Sequence, residues 1–248
     1  MAAQARGPVG AVQGAPPGLS PLLWSRLLQI LDAQAAADPV QVLDCGGGSG
    51  SLAVPLAARG AQVTVVDISI DALATLLRRA TEAGVADRVT AVQADAEAVA
   101  EVLPSASFDL VLAHGVLQSV ANPAYAVRQL AGVLRPGGVA SLLVSNPVAA
   151  VIGRLLAGDV SAALDGFRRS TATAYAPDAA IGQCLDAGLM IESVEGIGVF
   201  TELVPGIELE RPGVLGVLAD LEEAAATVSP YREIASRLHV LARRPATG

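Results

Sequence analysis

Val42-Leu43-Asp44-Cys45-Gly46-Gly47-Gly48-Ser49-Gly50 carries the most chemical information in the chain: an apolar strand breaks into a turn with four glycines. Glycine at such a turn permits positive φ and lets a ligand touch the main chain with no Cβ in between. A second apolar run, Val63-Thr64-Val65-Val66, closes on Asp67, with Ile68 beside it. In a parallel sheet both ends lie at the carboxyl edge. The acid then faces the glycine turn across an adenosine-sized gap and can hold two ribose hydroxyls. This is the chemistry of a nucleoside cofactor, and the spacing narrows the choice. A dinucleotide fingerprint started at Gly46 or Gly48 would need its last glycine at Ser51 or Ala53. What stands there is D-x-G-x-G-x-G, from Asp44 to Gly50. A pyrophosphate requires a helix N-terminus clear for an anion. An uncharged-to-cationic ligand such as S-adenosylmethionine needs only close backbone approach and a nearby acid.

Two further residues follow strands at the same edge. Asp95, before Ala96, has a carboxylate that can accept from an adenine amino group while a neighbouring N–H meets a ring nitrogen; it can also cap a helix, and the two roles are compatible. His114 ends Phe108-Asp109-Leu110-Val111-Leu112-Ala113-His114, where a methyl group or its acceptor would sit, and a near-neutral pKa would suit a general base. The competing reading is a structural histidine bonded to backbone near the cofactor. His239, between Leu238 and Val240, reads as a satisfied core histidine, Cys45 as a small filler, and Glu208, Glu210, Asp220, Glu222 and Glu223 as solvated surface. Tyr231, Phe167, Tyr175 and Phe200 are candidates for a substrate pocket. No Cys or His cluster has metal-ligand spacing, and there is no G-x-S-x-G and no P-loop lysine. Asn146-Pro147 follows the fifth strand without the aromatic partner that amino-methylating enzymes place after the fourth.

The elements that must hold these residues alternate regularly. Strands are expected at 40–44, 62–66, 89–93, 108–112 and 138–144, and helices at 51–59, 70–84, 96–102 and 123–134; Leu134-Arg135-Pro136-Gly137-Gly138 marks a helix end and sharp turn. Strands without polar alternation between helices make a parallel sheet covered on both faces. A helix starting at Ser20-Pro21 precedes them. Beyond Asn146 come a mostly helical insertion at 148–174, a helix at 177–187, a strand at 190–200, a helix at 212–228 and a last strand from Arg237 to Arg243. The fold expected is α/β: a Rossmann-like, seven-stranded, mostly parallel sheet with an antiparallel last strand, helices on both faces and a helical lid insertion. Residues 1–18, rich in Ala, Gly, Pro and Gln, read as a disordered arm, and 19–248 as one domain.

The bulk composition limits partners. All sixteen basic residues are arginine and the net charge is −8, which disfavours non-specific phosphate binding and leaves any nucleic acid to a local arginine patch. Two distant cysteines fit a reducing cytoplasm, and no apolar run is long enough for a bilayer.

Together VLDCGGGSG, VTVVDIS, FDLVLAHGVLQSVANP and VLRPGGVASLLVSNP resemble the class I S-adenosylmethionine-dependent methyltransferases over about 40–147. The resemblance implies Gly46, Gly48 and Gly50 against the methionine and ribose, Asp67 on the ribose hydroxyls, Asp95 and Ala96 at the adenine, and His114 near the methyl group, with Asp44 and Ile68 also among the cofactor-binding residues. It also implies S-adenosyl-L-homocysteine as product. Over most of the chain, LAGD (156–159), GIGVFTEL (196–203), PY (230–231) and LHVLARRP (238–245) are similar to the bacterial tRNA 5-carboxymethoxyuridine methyltransferases, which esterify a carboxylate on the wobble uridine. That family has a basic insertion, of which Arg168-Arg169 remains. Its arginine near the last strand falls at Ser236, with Arg237 one place off and so on the opposite face. On charge, the acceptor expected is a small molecule (O- or N-methylation). The alternatives are a tRNA wobble-uridine carboxyl group and a non-catalytic S-adenosylmethionine-binding module, with a nicotinamide oxidoreductase least favoured.

Overall fold

The runs that lack polar alternation become the middle of a seven-stranded sheet. The computed structural model describes residues 15–34, 39–172 and 177–246. Its strands are β1 (Gln41–Cys45), β2 (Gln62–Asp67), β3 (Val89–Gln93), β4 (Phe108–His114), β5 (Leu134–Ser145), β6 (Met190–Ile197) and β7 (Arg237–Arg243). Their order is β3-β2-β1-β4-β5-β7-β6. β1 to β5 are parallel, and β7 runs antiparallel to both of its neighbours.

Period-two alternation sends neighbouring residues to opposite faces. Val42, Val63, Val65, Leu110 and Leu112 pack under α1 (Pro21–Ala33), α2 (Ala53–Ala58) and α3 (Ile70–Glu82), where Trp24, Leu27 and Leu76 are buried. Leu43, Cys45, Val111 and Ala113 pack under α4 (Val99–Val102), α5 (Pro123–Val133) and α8 (Pro177–Asp186). Ser20 caps α1 through its hydroxyl, which accepts from the Leu23 N–H, and Pro21 fills a position with no N–H to lose. The strand order reverses between β1 and β4, so the loops after these strands diverge and leave a crevice at the carboxyl edge.

Several boundaries differ from those read in the sequence. β5 starts at Leu134, which already pairs with Phe108. Arg135-Pro136-Gly137-Gly138 is therefore an irregular lead-in to the strand, with register restored at Leu110 opposite Val139. The Arg135–Asp109 ion pair (2.8 Å) and the Gly137 N–H donated to the Arg244 carbonyl (2.9 Å) tie it to the sheet. Ser51 and Leu52 complete the glycine turn, and α2 begins at Ala53. After β5, α6 (Pro147–Leu156) and α7 (Val160–Ala172) pack on each other at the carboxyl edge; α6 contributes no buried residue. α9 (Gly206–Leu209) and α10 (Val214–Ala225) follow β6, α10 starting after Gly213 at φ +84°. Residues 1–14 of the expected arm, and Tyr175, lie outside the described residues. Among the described residues no helix is long and apolar enough to cross a membrane.

Glu222 is not solvated surface. It is 7% exposed, and its carboxylate accepts from the Val199, Phe200 and Thr201 N–H groups at 2.7–2.9 Å and from the Thr201 hydroxyl at 2.7 Å. The chain after β6 turns there with no strand partner, and one carboxylate on α10 satisfies three N–H groups and a hydroxyl. Glu222→Ala leaves these N–H groups unpaired and is expected to destabilise the fold by about 3 kcal/mol, read by chemical denaturation, with Glu222→Gln recovering part of the loss.

Candidate active site

At the end of β1 the backbone turns through Gly46, Gly48 and Gly50 at φ +73°, +53° and +78°. These are left-handed values that L side chains rarely adopt. Each glycine nevertheless has its own reason. A Cβ on Gly46 would stand 2.8 Å from Val116 Cβ, one on Gly47 2.5 Å from the Asp44 carboxyl, and one on Gly50 2.2 Å from Leu76 Cδ1. The Gly48 N–H donates to Asp67 Oδ2 (2.9 Å), and Arg79 pins the Ser49 carbonyl from α3 (2.9 Å). The other Asp67 oxygen accepts from the Ser69 N–H (2.8 Å), which fixes the carboxylate at the mouth of the turn.

Gly46, Asp67, Ile68, Asp95, Ala96 and His114 meet in the walls of one cavity of about 300 Å³. Asp95 also caps the 3-10 turn at Ala96–Ala98 by accepting from the Glu97 N–H (2.8 Å). The sequence places Asp44, Gly48 and Gly50 against the ligand as well, but none of them stands in those walls. Gly48 works through Asp67, Gly50 through packing on Leu76, and Asp44 lies beneath the turn. Asp44 is 2% exposed and its Oδ2 has no hydrogen-bond partner. Burial, then the charge of Asp67, raises its pKa to about 7. Cys45 is the expected filler: buried and free, its thiol pushed up to about 12 by burial and the neighbouring carboxylates.

His114 separates this cavity from a second one of about 420 Å³ on the α1 side. Its expected near-neutral pKa is not what the site provides. Burial first, then His239 and Arg237, lower it to about 3, so the ring is neutral and a poor proton acceptor. The second cavity is walled by Arg237, Gln118, Ser145 and Ser51, among others. β-register explains Arg237: it pairs with Ser145, two places from the Leu143–His239 pair, so it shares a face with His114. The expectation that Arg237 is turned away from the site is therefore corrected. Gln118 closes the floor, its amide oxygen accepting from the Ser145 N–H (3.0 Å) and hydroxyl (2.8 Å) while its NH₂ donates to the Gly115 carbonyl (2.9 Å). Phe167, Phe200 and Tyr231 line neither cavity; Phe200 and Tyr231 pack against each other at 5.9 Å. Asn146 caps α6 and donates to the Glu233 and Ala235 carbonyls (both 2.8 Å), fixing the chain that leads into Arg237.

Residues 43–142 match the model of a methyltransferase domain. The tRNA 5-carboxymethoxyuridine methyltransferase of Escherichia coli (strain K12) is 31% identical over 230 residues, covering 90% of this chain and 87% of that one. The chain belongs to the class I S-adenosylmethionine-dependent methyltransferases. Among solved structures, the [4+2]-cyclase SpnF (19% identity, 95% of this chain and 86% of that one, TM-score 0.59) has the same fold. So has the magnesium protoporphyrin IX methyltransferase of Synechocystis PCC 6803 with bound SAH (16%, 90% and 82%, TM-score 0.57). At these identities they show the fold, and a cyclase among them illustrates that fold alone does not set the reaction.

The residues present fit the cofactor of this methyltransferase family. The nucleoside-sized cavity ends at a carboxylate, the turn at Gly46 is bare of side chain, and the buried, unpartnered Asp44 carboxyl beneath the turn offers a counter-charge to a cation held over it. When bound, S-adenosylmethionine supplies a methyl group already activated on a sulfonium, so the protein's task is orientation and exclusion of water. Sequence reasoning misses Arg237, Gln118 and Ser145. They are common surface residues in separate segments, and only the pairing of β5 with β4 on one side and β7 on the other brings them together.

Proposed function

We propose that this methyltransferase esterifies a carboxylate, its acceptor being the 5-carboxymethoxyuridine of a tRNA. The observation that carries the reading is Arg237: it is the only cation in the walls of the two cavities, and no acid pairs with it among the described residues. A guanidinium beside His114 suits a carboxylate presented for methylation, since its fork matches both oxygens. Such an acceptor has no proton to remove, which agrees with a neutral, weakly basic His114. Arg237 would hold the acceptor, Gln118 and Ser145 would shape the floor beneath it, and the methyl would pass in line to a carboxylate oxygen. The E. coli relative, similar over nearly its whole length, supports this acceptor over the small molecule that net charge alone favours.

Charge is less adverse than the total of −8 indicates. On α6, α7 and the turn between them Arg154, Arg168 and Arg169 outnumber Asp159 and Asp165, and with Arg237 at the start of β7 they belong to segments at the carboxyl edge, where a phosphate backbone would run; Arg232 nearby is paired with Glu233 (2.9 Å). We read α6 and α7 as the lid of a single catalytic domain and place the enzyme in the cytoplasm with tRNA. Deleting the gene in its host is expected to convert a tRNA nucleoside from methyl ester to free acid; an unchanged nucleoside profile by mass spectrometry refutes the reading. Failure of the pure protein to retain tRNA at moderate salt would favour a small-molecule acceptor.

A further inference from the structure

His114 Nε2 lies 2.8 Å from Ser141 Oγ, and Ser141 Oγ lies 2.8 Å from His239 Nε2. Register makes this row inevitable: Leu143 on β5 is opposite both His114 on β4 and His239 on β7, and Ser141 is two residues away on the same face. Ser141 and His239 are fully buried, the rings meet edge to face at 6.1 Å, and both Nδ1 atoms lack a partner among the described residues. We propose that Ser141 and His239 are positioning residues: a buried relay that fixes whether His114 acts as hydrogen-bond donor or acceptor toward what binds beside it.

A serine hydroxyl has one hydrogen and donates one bond, and each neutral imidazole has one N–H. Were both rings to donate to Ser141, its own hydrogen would need a third partner, and the described residues supply none. Both short contacts are then satisfied when one histidine donates from Nε2 to Ser141 and Ser141 donates to Nε2 of the other. In that arrangement the two rings are opposite tautomers, one protonated at Nε2 and one at Nδ1, and this Nδ1–H is the one donor of the row without a partner among the described residues. The relay has two states of opposite sense, and His114 cannot change its tautomer without His239 changing too. The groups around it keep both rings uncharged. His114 faces His239 and Arg237, while His239 faces Arg26 of α1, which is paired with Glu195 on β6 (2.8 Å) and Glu223 on α10 (2.7 Å). Burial first, then Arg26, lowers the His239 pKa to about 4, against about 3 for His114. Because His114 lines both cavities, a ligand that needs the other sense at His114 must also reverse the tautomer of His239 at the far side of β5, one Nδ1 taking a proton from solvent and the other releasing one so that both rings stay neutral. The relay rests on the methyltransferase assignment for its probe and on no particular acceptor, so the tRNA reading can fail independently of it.

The chain has two histidines, so imidazole nitrogen spectra of ¹⁵N-histidine-labelled protein report this relay and nothing else. The expected result is one Nδ1–H ring and one Nε2–H ring, neither titrating between pH 5 and 8. S-adenosylhomocysteine should shift the signals of both rings. In Ser141→Ala, with binding of the same ligand verified by calorimetry, only His114 should still respond, and Ser141→Thr should restore the response of His239. Two rings of the same tautomer, a His239 that ignores the ligand in the wild type, or one that still responds in Ser141→Ala would each overturn the proposal. The first two tests need no variant and decide the matter even if Ser141→Ala does not fold.

Discussion

With the proposed tRNA carboxylate as acceptor, Arg237→Gln is expected to raise KM for tRNA by about tenfold or more while S-adenosylhomocysteine binds within about twofold of wild type. A charge-assisted hydrogen bond is worth about 1.5–3 kcal/mol, which converts to roughly a ten- to hundredfold loss. The side chain is exposed at the start of β7 and in the wall of the His114 chamber, and it makes no ion pair among the described residues. Its loss therefore removes no internal ion pair, and the melting temperature should barely move. Arg237→Lys keeps the charge but not the planar fork and should fall between the two. Steady-state kinetics on tRNA and calorimetry with S-adenosylhomocysteine separate the outcomes. An equal loss of cofactor-product affinity would put Arg237 in the cofactor's half of the site. An unchanged KM would mean that the acceptor carboxylate is held elsewhere. Adding salt should weaken tRNA binding for wild type and variant alike, because phosphate contacts elsewhere on the carboxyl edge would remain.

The glycine turn, Asp67 and Asp95 are legible in the sequence because their chemistry is local. Each follows a strand directly, and a parallel sheet carries all such loops to one edge. Arg237 shows where local reading ends. Seen in sequence beside Ser236 it is one arginine among sixteen, and strand alternation gives its face only relative to Leu238 and His239. What puts it opposite Ser145 is an antiparallel register between segments far apart in sequence. Glu222 is misread for a related reason. Helical spacing does not reveal that an irregular chain, Val199 to Thr201, will bring three unpaired N–H groups to that side of α10. Gly50 is legible as a glycine of a left-handed turn, but its second constraint, the close approach of Leu76 of α3, is not. His239 is correctly placed in the core, yet its link to His114 depends on Ser141 on the strand between them.

Asp44→Asn should make the folded protein more stable at pH 8 and weaken its hold on a cationic cofactor. The sign follows from the direction in which the carboxyl is perturbed. A carboxyl raised in the fold from 3.8 to about 7 binds its proton more tightly folded than unfolded. The folded state thus loses stability as pH rises from about 4 to about 7 and carries the full penalty above that. A displacement of that size corresponds to roughly 4 kcal/mol at most, and the variant's amide, which never ionises, escapes it. Thermal melts should show the variant several degrees above wild type at pH 8, with the gain shrinking toward pH 4. A buried acid that destabilises its own fold at neutral pH is understandable if it serves a ligand, because a positive charge over the turn stabilises the carboxylate. Affinity for S-adenosylmethionine in the wild type should therefore rise with pH up to about 7, and the rise should be absent in Asp44→Asn. Methylthioadenosine, which has neither sulfonium nor ammonium, should bind both proteins with no such dependence. Were it to show the same pH profile as S-adenosylmethionine, Asp44 would be acting on the shape of the glycine turn and not as a counter-charge. The unpartnered oxygen beneath Gly47 favours the counter-charge, since a carboxylate retained only to brace the loop would be expected to accept an N–H from it.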